Sequence, residues 1–512
     1  MTRTATTISH APPLSARGLT SAIPRVSRAT LALAAILAVA LGLRFGLLVA
    51  GPVHDPQRAV RPDTMRYVVL GHNMLWFQSF GVADERHGVV HAPLYELRTK
   101  TGQVPARDMH GLMPETFRTP GYPALFALCE LLQVGTTGVL FIQLLLSTCS
   151  VLLVYAIGRA LFGARVPALI AAALVAIHPG DITAANTLLS ETLFTVVMLA
   201  GIWLGLWARK HTKAPTVALG GLVYGMAALV RPVSIFLGPC IALWMAVTGK
   251  GIRHRLVIPA LFVLYSLLPG MWWAVRNHEM GVGYQASTVP SVNAYFYTVT
   301  YMDIADKGGD FARDWPAAVA IRMQQLETRM HPGEDVFKAM RRLAVGEVIS
   351  RPGTYAAVMS HSAGKFMLDH TACDLFTLMG WEYQPSGMRQ KLLSGQWSSI
   401  ERDKLAGFTV AALWTLWNGA WLLATLWGLA VLLRRRRWDV LLLLGGVFAY
   451  FIFVTQTNGL ERFRLPVLGI QALIIAAAFL PRIHQPGPSP AERPDNKGSK
   501  ISSSGVGATG FE

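Results

Sequence analysis

A chain of 512 residues that is 52% hydrophobic and only 15% charged lies well below the roughly 25% charged content of soluble domains and reads as a membrane protein. The formal net charge of +17 does not point to nucleic acid. Its arginines fall in short runs between apolar stretches, as in "RRRRW" at 434–438 and "GKGIRHR" at 249–255, the pattern of the positively charged loops of a polytopic protein.

In chain order, residues 1–29 form a polar arm, expected to be cytoplasmic. Residues 30–50, "TLALAAILAVALGLRFGLLVA", are long enough to span a hydrocarbon core of about 30 Å. The "AVA" before Gly42 also suits a cleaved signal peptide, but the long arm and long apolar run favour a retained anchor. Residues 51–134 are mixed and rich in Pro, His and Arg. Apolar segments follow at about 136–162, 166–177, 187–208, 215–230, 233–248, 256–275, 407–433, 438–454 and 465–481, so the expectation is an all-α polytopic protein with about ten transmembrane helices. Residues 30–275 would form a core, 276–405 a second large polar region, 406–482 the closing spans and 483–512 a disordered tail. Placing the amino terminus inside puts the basic loops "GAR", "ARKHTK", "GKGIRHR" and "RRRR" and the tail inside as well. Both large polar regions then face outward from an inner or plasma membrane.

Two spans are short. Segments 166–177 and 215–230 rise roughly 18 and 24 Å as helices and end in "HPGD" and "RP". Either the bilayer thins there, or these ends line a recessed polar cavity, where irregular backbone is tolerated. Cys129, Cys149, Cys240 and Cys373 are scattered without C-x-x-C spacing and read as small packing residues.

Ionisable residues at the edges of spans are costly and default to function. On the expected outer side they are Asp63, Arg66, Arg118, His178, Asp181, Glu191, Arg231, Arg276, Glu461, Arg462 and Arg464, with Asn277 beside Arg276. Arginine dominates, and a guanidinium fork binds phosphate bidentately and stays charged at any local dielectric. Arginines converging from distant segments therefore suggest an anionic ligand, most simply a lipid phosphate. The competing reading for each is a side chain snorkelling to headgroups. Arg44, inside the first span, suits pairing with a neighbouring helix. Asp63 lies between Arg61 and Arg66, which would keep it ionised. It is either a proton acceptor or a loop acid paired with Arg66. Glu191 either binds substrate or bonds a neighbouring helix. His178 and Asp181 have the spacing of weak metal ligands, although a helix cap suits Asp181 better. The sequence leaves a divalent metal open without indicating one, and identifies no other cofactor. "GLVYGMAA" reads as close helix packing.

Taken in order, "PDTMRYVVLGHNML", "FRTPGYP", "HPGDITAANTLLSETLF", "LVRPVSIFL", "WWAVRN" and "ERFRLPV" resemble the GT-C fold membrane glycosyltransferases, nearest the bacterial relatives of protein O-mannosyltransferases and of the lipid A aminoarabinose transferase. The resemblance runs over about residues 30–480. It implies transfer of a sugar from a polyprenyl-phosphate carrier to an acceptor hydroxyl of a glycan, lipid or protein outside the membrane. Asp63 matches the acid of the first outer loop and would be the base. Arg66, Arg118, Arg231, Arg276, Arg462 and Arg464 become candidates for the donor phosphate. Tyr67, Tyr122, His178, Asp181, Glu191, Asn277 and Glu461 become substrate-binding or structural candidates. The family often carries a second acid beside the first, and here Thr64 stands in that place. A transporter or flippase of lipid-linked sugars would also show many spans and outer arginines, but usually with paired repeats and a midplane site. A non-catalytic assembly factor is the third reading.

Overall fold

The structure is a computed structural model that describes residues 27–84, 88–211, 213–381, 402–455 and 461–480. Most of the amino-terminal arm, the carboxy-terminal tail and residues 382–401 of the second polar region lie outside the described residues. Regular structure among the described residues is helical, apart from a two-residue antiparallel ribbon that pairs Gly81 with Pro114 and Val82 with Met113.

The first helix, α1 (Arg28–Ala50), leads into a polar region that folds as α2 (Thr64–Trp76), α3 (Gly88–Lys100) and α4 (Gly121–Leu131). Next come α5 (Gly135–Phe162), α6 (Arg165–Ala176), α7 (Pro179–Ala185), α8 (Glu191–His211), α9 (Ala214–Val230), α10 (Leu237–Thr248) and α11 (Ile258–Glu279). The second polar region holds α12 (Val289–Val292), α13 (Thr300–Asp306), α14 (Phe311–Arg329), α15 (Val336–Ser350), α16 (Pro352–Leu368) and α17 (Ala372–Met379). Apolar helices Arg402–Arg434, Trp438–Val454 and Glu461–Phe479 close the chain.

Each of the ten expected apolar segments is mostly helical over its described residues. Among the described residues, six helices are long and apolar enough to cross a membrane, and the α6–α7 pair, bent by 59°, makes a seventh if taken as one broken span. The break has a local cause. Pro179 pushes His178 into an extended conformation, and His178 then caps α7 by accepting the Gly180 N–H on Nδ1 at 3.1 Å. The cap is therefore His178, not Asp181 as the sequence suggested. Asp181 instead pairs with Arg44 of α1, and Ser147 of α5 donates to the same carboxylate oxygen at 2.7 Å. Arg44 is fully buried and also bonds Ser147 and the Ala176 carbonyl, which meets the expectation of an interhelical partner. The glycines of "GLVYGMAA" let α9 lie against α11. A Cβ at Gly221 would sit 2.7 Å from the Phe262 carbonyl oxygen, and one at Gly225 2.6 Å from that of Ser266.

The two polar regions are not independent. Val90, Leu94 and Leu97 of α3 share a hydrophobic core with Phe296, Val319, Leu326 and Met340 of the second region. Arg322 ties that region together through Asp303 and Glu347, at 2.5 and 2.9 Å.

Candidate active site

The polar residues at one end of the helical bundle meet. Asp63 occupies the residue before α2, where its side chain makes no capping bond to the helix. That leaves both carboxylate oxygens for guanidinium groups. Arg118 Nη2 lies 2.6 Å from Oδ1, and Arg462 Nη2 lies 2.9 Å from Oδ2. Arg462 turns its Nε toward Glu191 at 3.2 Å, and Arg231 reaches the same Glu191 oxygen at 2.7 Å. Arg118, Asp63, Arg462, Glu191 and Arg231 thus form one chain of alternating charge. Pro232 explains where it ends. It stops α9 and throws Arg231 into extended backbone, aimed at the first turn of α8. The Phe463 ring packs against both Arg231 and Arg462, at 5.4 and 5.0 Å from their guanidinium carbons.

The local arginines of "RPDTMR" do not serve Asp63. Arg61 pairs with Asp374 of α17 at 2.6 Å, and Arg66 with Glu115 at 2.6 Å. This corrects the reading of Asp63 as the partner of Arg66. Thr64, which stands where the resembling family often has a second acid, is buried. It accepts the Arg61 N–H and donates its hydroxyl to the Leu188 carbonyl, both at 2.8 Å. An ionised carboxylate has no proton to give that carbonyl, so this position suits a hydroxyl.

Sequence reading missed Glu115, which is completely buried. Its carboxylate accepts from Arg66 and from the Phe117 and Arg118 backbone N–H groups, at 2.6 and 3.0 Å for the latter two. Its carbonyl oxygen accepts from Arg276 Nη1 at 2.6 Å. "MPETFRTP" carries no spacing signal for this role, because the acid acts through a turn and a helix 49 residues away.

The remaining candidates divide. Tyr67 is near the Asp63 cluster, with its ring 5.4 Å from the Arg118 guanidinium carbon and edge-on to Tyr122. Tyr122 itself is fully buried and donates to Gln143 at 2.5 Å. Arg276 bonds the carbonyls of Glu115 and Phe80 and the side chain of Asn277. Arg464 and Glu461 make a fully buried pair at 2.9 Å, with Arg464 also bonded to the Met367 carbonyl and Glu461 to the Thr371 N–H. They are set apart from Asp63 and fastened to the end of α16 and the start of α17. His178 is sealed between Trp417 and Trp421. Among the described residues, no group of three or more His, Cys, Asp and Glu side chains is placed to hold a metal ion.

Asp63, Arg66 and Arg118 line a cavity of about 560 Å³ between α2, α3, the 116–118 turn, α12 and α15. Its walls are partly apolar, with Met65, Val69, Leu94, Val292 and Phe337, and partly polar, with His91 and Thr288. Burial raises the Asp63 pKa, but Arg118 and Arg462 outweigh it and hold the carboxyl at about 2. Burial likewise raises Glu115, and the Arg66 guanidinium and the donated N–H groups bring it below the usual carboxylate range. Burial lowers the His91 pKa below its ordinary value, which favours the neutral imidazole facing the cavity. The site thus offers an ionised carboxylate, fixed guanidinium forks and a half-apolar hollow in one place.

Residues 118–273 match the family model described as dolichyl-phosphate-mannose-protein mannosyltransferase, which bears out, over that stretch, the resemblance to GT-C membrane glycosyltransferases. Among solved structures, the chain is similar to the archaeal oligosaccharyltransferase AglB from Archaeoglobus fulgidus in complex with an inhibitory peptide and a dolichol-phosphate. That match has 14% identity and a TM-score of 0.47, over 87% of this chain and 50% of the other. It is also similar to ArnT from Cupriavidus metallidurans bound to undecaprenyl phosphate, with 16% identity and a TM-score of 0.36 over 88% of this chain and 77% of the other. The chain spans about half the length of the oligosaccharyltransferase. Among curated proteins there is no significant sequence match.

Proposed function

We propose that this protein is a membrane glycosyltransferase that moves a sugar from a polyprenyl-phosphate carrier to an acceptor hydroxyl, with Asp63 as the base. The observation that carries the reading is Asp63 held between Arg118 and Arg462 at the wall of the cavity. The family match over residues 118–273 supports the reaction class. Met65 and Val69 are apolar, exposed and line the same cavity, which suits a ligand whose phosphate enters the site while its lipid chain leaves along α2.

The chemistry follows from the charges. The acceptor oxygen bonds to the anomeric carbon, the bond from that carbon to the phosphate oxygen breaks, and the electron pair leaves with the phosphate. The hydroxyl proton passes to Asp63. A carboxylate at pKa about 2 is a weak proton acceptor at neutral pH. The donor phosphate competes for Arg118 and Arg462, and each guanidinium that turns to phosphate lets the Asp63 pKa rise toward its ordinary value. Arg118, Arg231 and Arg462 with Asp63 and Glu191 carry one net positive charge, which balances a singly charged phosphodiester donor. On transfer the phosphate gains a second charge while Asp63 is neutralised by the proton, so the sum is unchanged. Stabilising the leaving phosphate in this way is an electrostatic contribution that acts as charge develops.

A single displacement of this kind inverts the anomeric centre, and the site faces outward if the basic loops lie inside. The test is turnover of a labelled polyprenyl-phosphate sugar by purified protein, with the anomeric configuration of the product read by NMR. Retention of configuration would overturn the single displacement. Binding without transfer to any hydroxyl acceptor would favour a carrier of lipid-linked sugars.

A further inference from the structure

The 115–118 turn is the point at which the arginine cluster is fastened to the rest of the fold. Arg66 comes from α2, Arg276 from the end of α11, and Arg118 from the turn itself, yet all three are tied to Glu115. Its carboxylate takes the Arg66 Nε at 2.6 Å and the Phe117 and Arg118 N–H groups, and its carbonyl takes Arg276. The Glu115 N–H donates to the Phe80 carbonyl at 2.9 Å, whose oxygen also accepts Arg276 Nη2. The same turn is bonded to the start of the second polar region. Thr288 N–H donates to the Thr116 carbonyl at 3.0 Å, and Ser287 Oγ to the Phe117 carbonyl at 2.7 Å. Arg66 Nη1 donates to the neutral Asp84 carbonyl at 3.2 Å, whereas its bond to Glu115 joins two opposite charges and is shorter.

We infer that Glu115 is a positioning residue for donor binding, holding the Arg66 guanidinium and the backbone that projects Arg118 toward the cavity. This rests on the proposed function, with Arg66, which lines the cavity beside Arg118, as a further phosphate ligand. Glu115 is completely buried and the cavity is not lined by it, so it acts through the arginines and not on the substrate. A fork that binds phosphate bidentately must be held in one plane, and loss of its anchor returns the side chain to many rotamers. The expectation is a change in donor KM more than in kcat.

Glu115→Gln keeps an oxygen for the two backbone N–H groups but removes the charge that holds Arg66. Donor KM should rise about tenfold with kcat within a few-fold, and Glu115→Asp should recover part of the loss. Binding of a polyprenyl monophosphate, measured by native mass spectrometry, should weaken by a similar factor. Because Glu115 acts through Arg66, the Glu115→Gln/Arg66→Gln double variant should bind this probe no worse than Arg66→Gln alone. Additive losses, or a reduced yield of folded protein with unchanged KM and unchanged probe binding, would overturn the assignment. If the wild-type protein binds the probe but turns over no donor sugar, the glycosyltransferase reading fails while the binding arm still tests Glu115.

Discussion

Replacing Asp63 by Asn keeps the shape of the side chain and removes its charge and its capacity to take a proton. The structure sets the size of two separate effects. The fall of the Asp63 pKa from 3.8 to about 2 corresponds to about 2 kcal/mol of stabilisation at neutral pH. Because the folded-state pKa is depressed, that contribution is present above pH 3.8 and is lost as pH falls toward about 2. Asp63→Asn should therefore lower thermal stability in detergent by up to that amount at pH 7, and the gap to wild type should stay level between about pH 5 and 8 and narrow on acidification. The effect on turnover is larger, a loss of about two to four orders of magnitude, since general base catalysis contributes on that scale. Donor binding should hold or tighten, because the neutral amide no longer competes with phosphate for Arg118 and Arg462. Turnover of a labelled polyprenyl-phosphate sugar in nanodiscs, paired with binding of the unlabelled donor, measures both. Turnover within threefold of wild type would refute the base assignment. Loss of donor binding together with turnover would reduce Asp63 to a structural partner of the two arginines.

Arg118→Lys should raise the donor KM by about tenfold or more, since a point charge cannot replace a fork; unchanged donor kinetics would make Arg118 a partner of Asp63 alone. Asp181→Ala leaves the buried Arg44 without its counter-charge and should destabilise by about 3–5 kcal/mol, read by thermal unfolding, with the donor KM of the folded fraction unchanged. Cysteines introduced near positions 100 and 330 should label from outside intact cells, and one near 436 should not. The reverse pattern would turn the site toward the cytoplasm.

Much of this protein was written along the chain. Apolar runs of ten to thirty residues cannot leave their backbone groups unpaired in hydrocarbon, so composition alone called for helices, and each of the ten segments is mostly helical over its described residues. The charged residues proposed for the site could be picked out for a related energetic reason, since an arginine or carboxylate at the edge of a span is costly unless it is paired. Which charge meets which was not legible. Asp63 has arginines two residues before and three residues after it, yet it is held by Arg118 and Arg462, 55 and 399 residues away. Arg61 and Arg66 are drawn off to Asp374 and Glu115. Arg464, two residues from Arg462, turns into a sealed pair with Glu461. Helix phase and the placing of helix ends decide these pairings. A side chain's direction changes by about 100° per residue, so neighbours in sequence serve different partners. The chain itself determined the membrane helices and the stock of charged groups at their ends. Only the tertiary structure decided that Asp63 links Arg118 to Arg462, and that a buried glutamate with no sequence signature bonds Arg66 and the Arg118 backbone, because a coulombic pairing depends on distances that only the packed helices create.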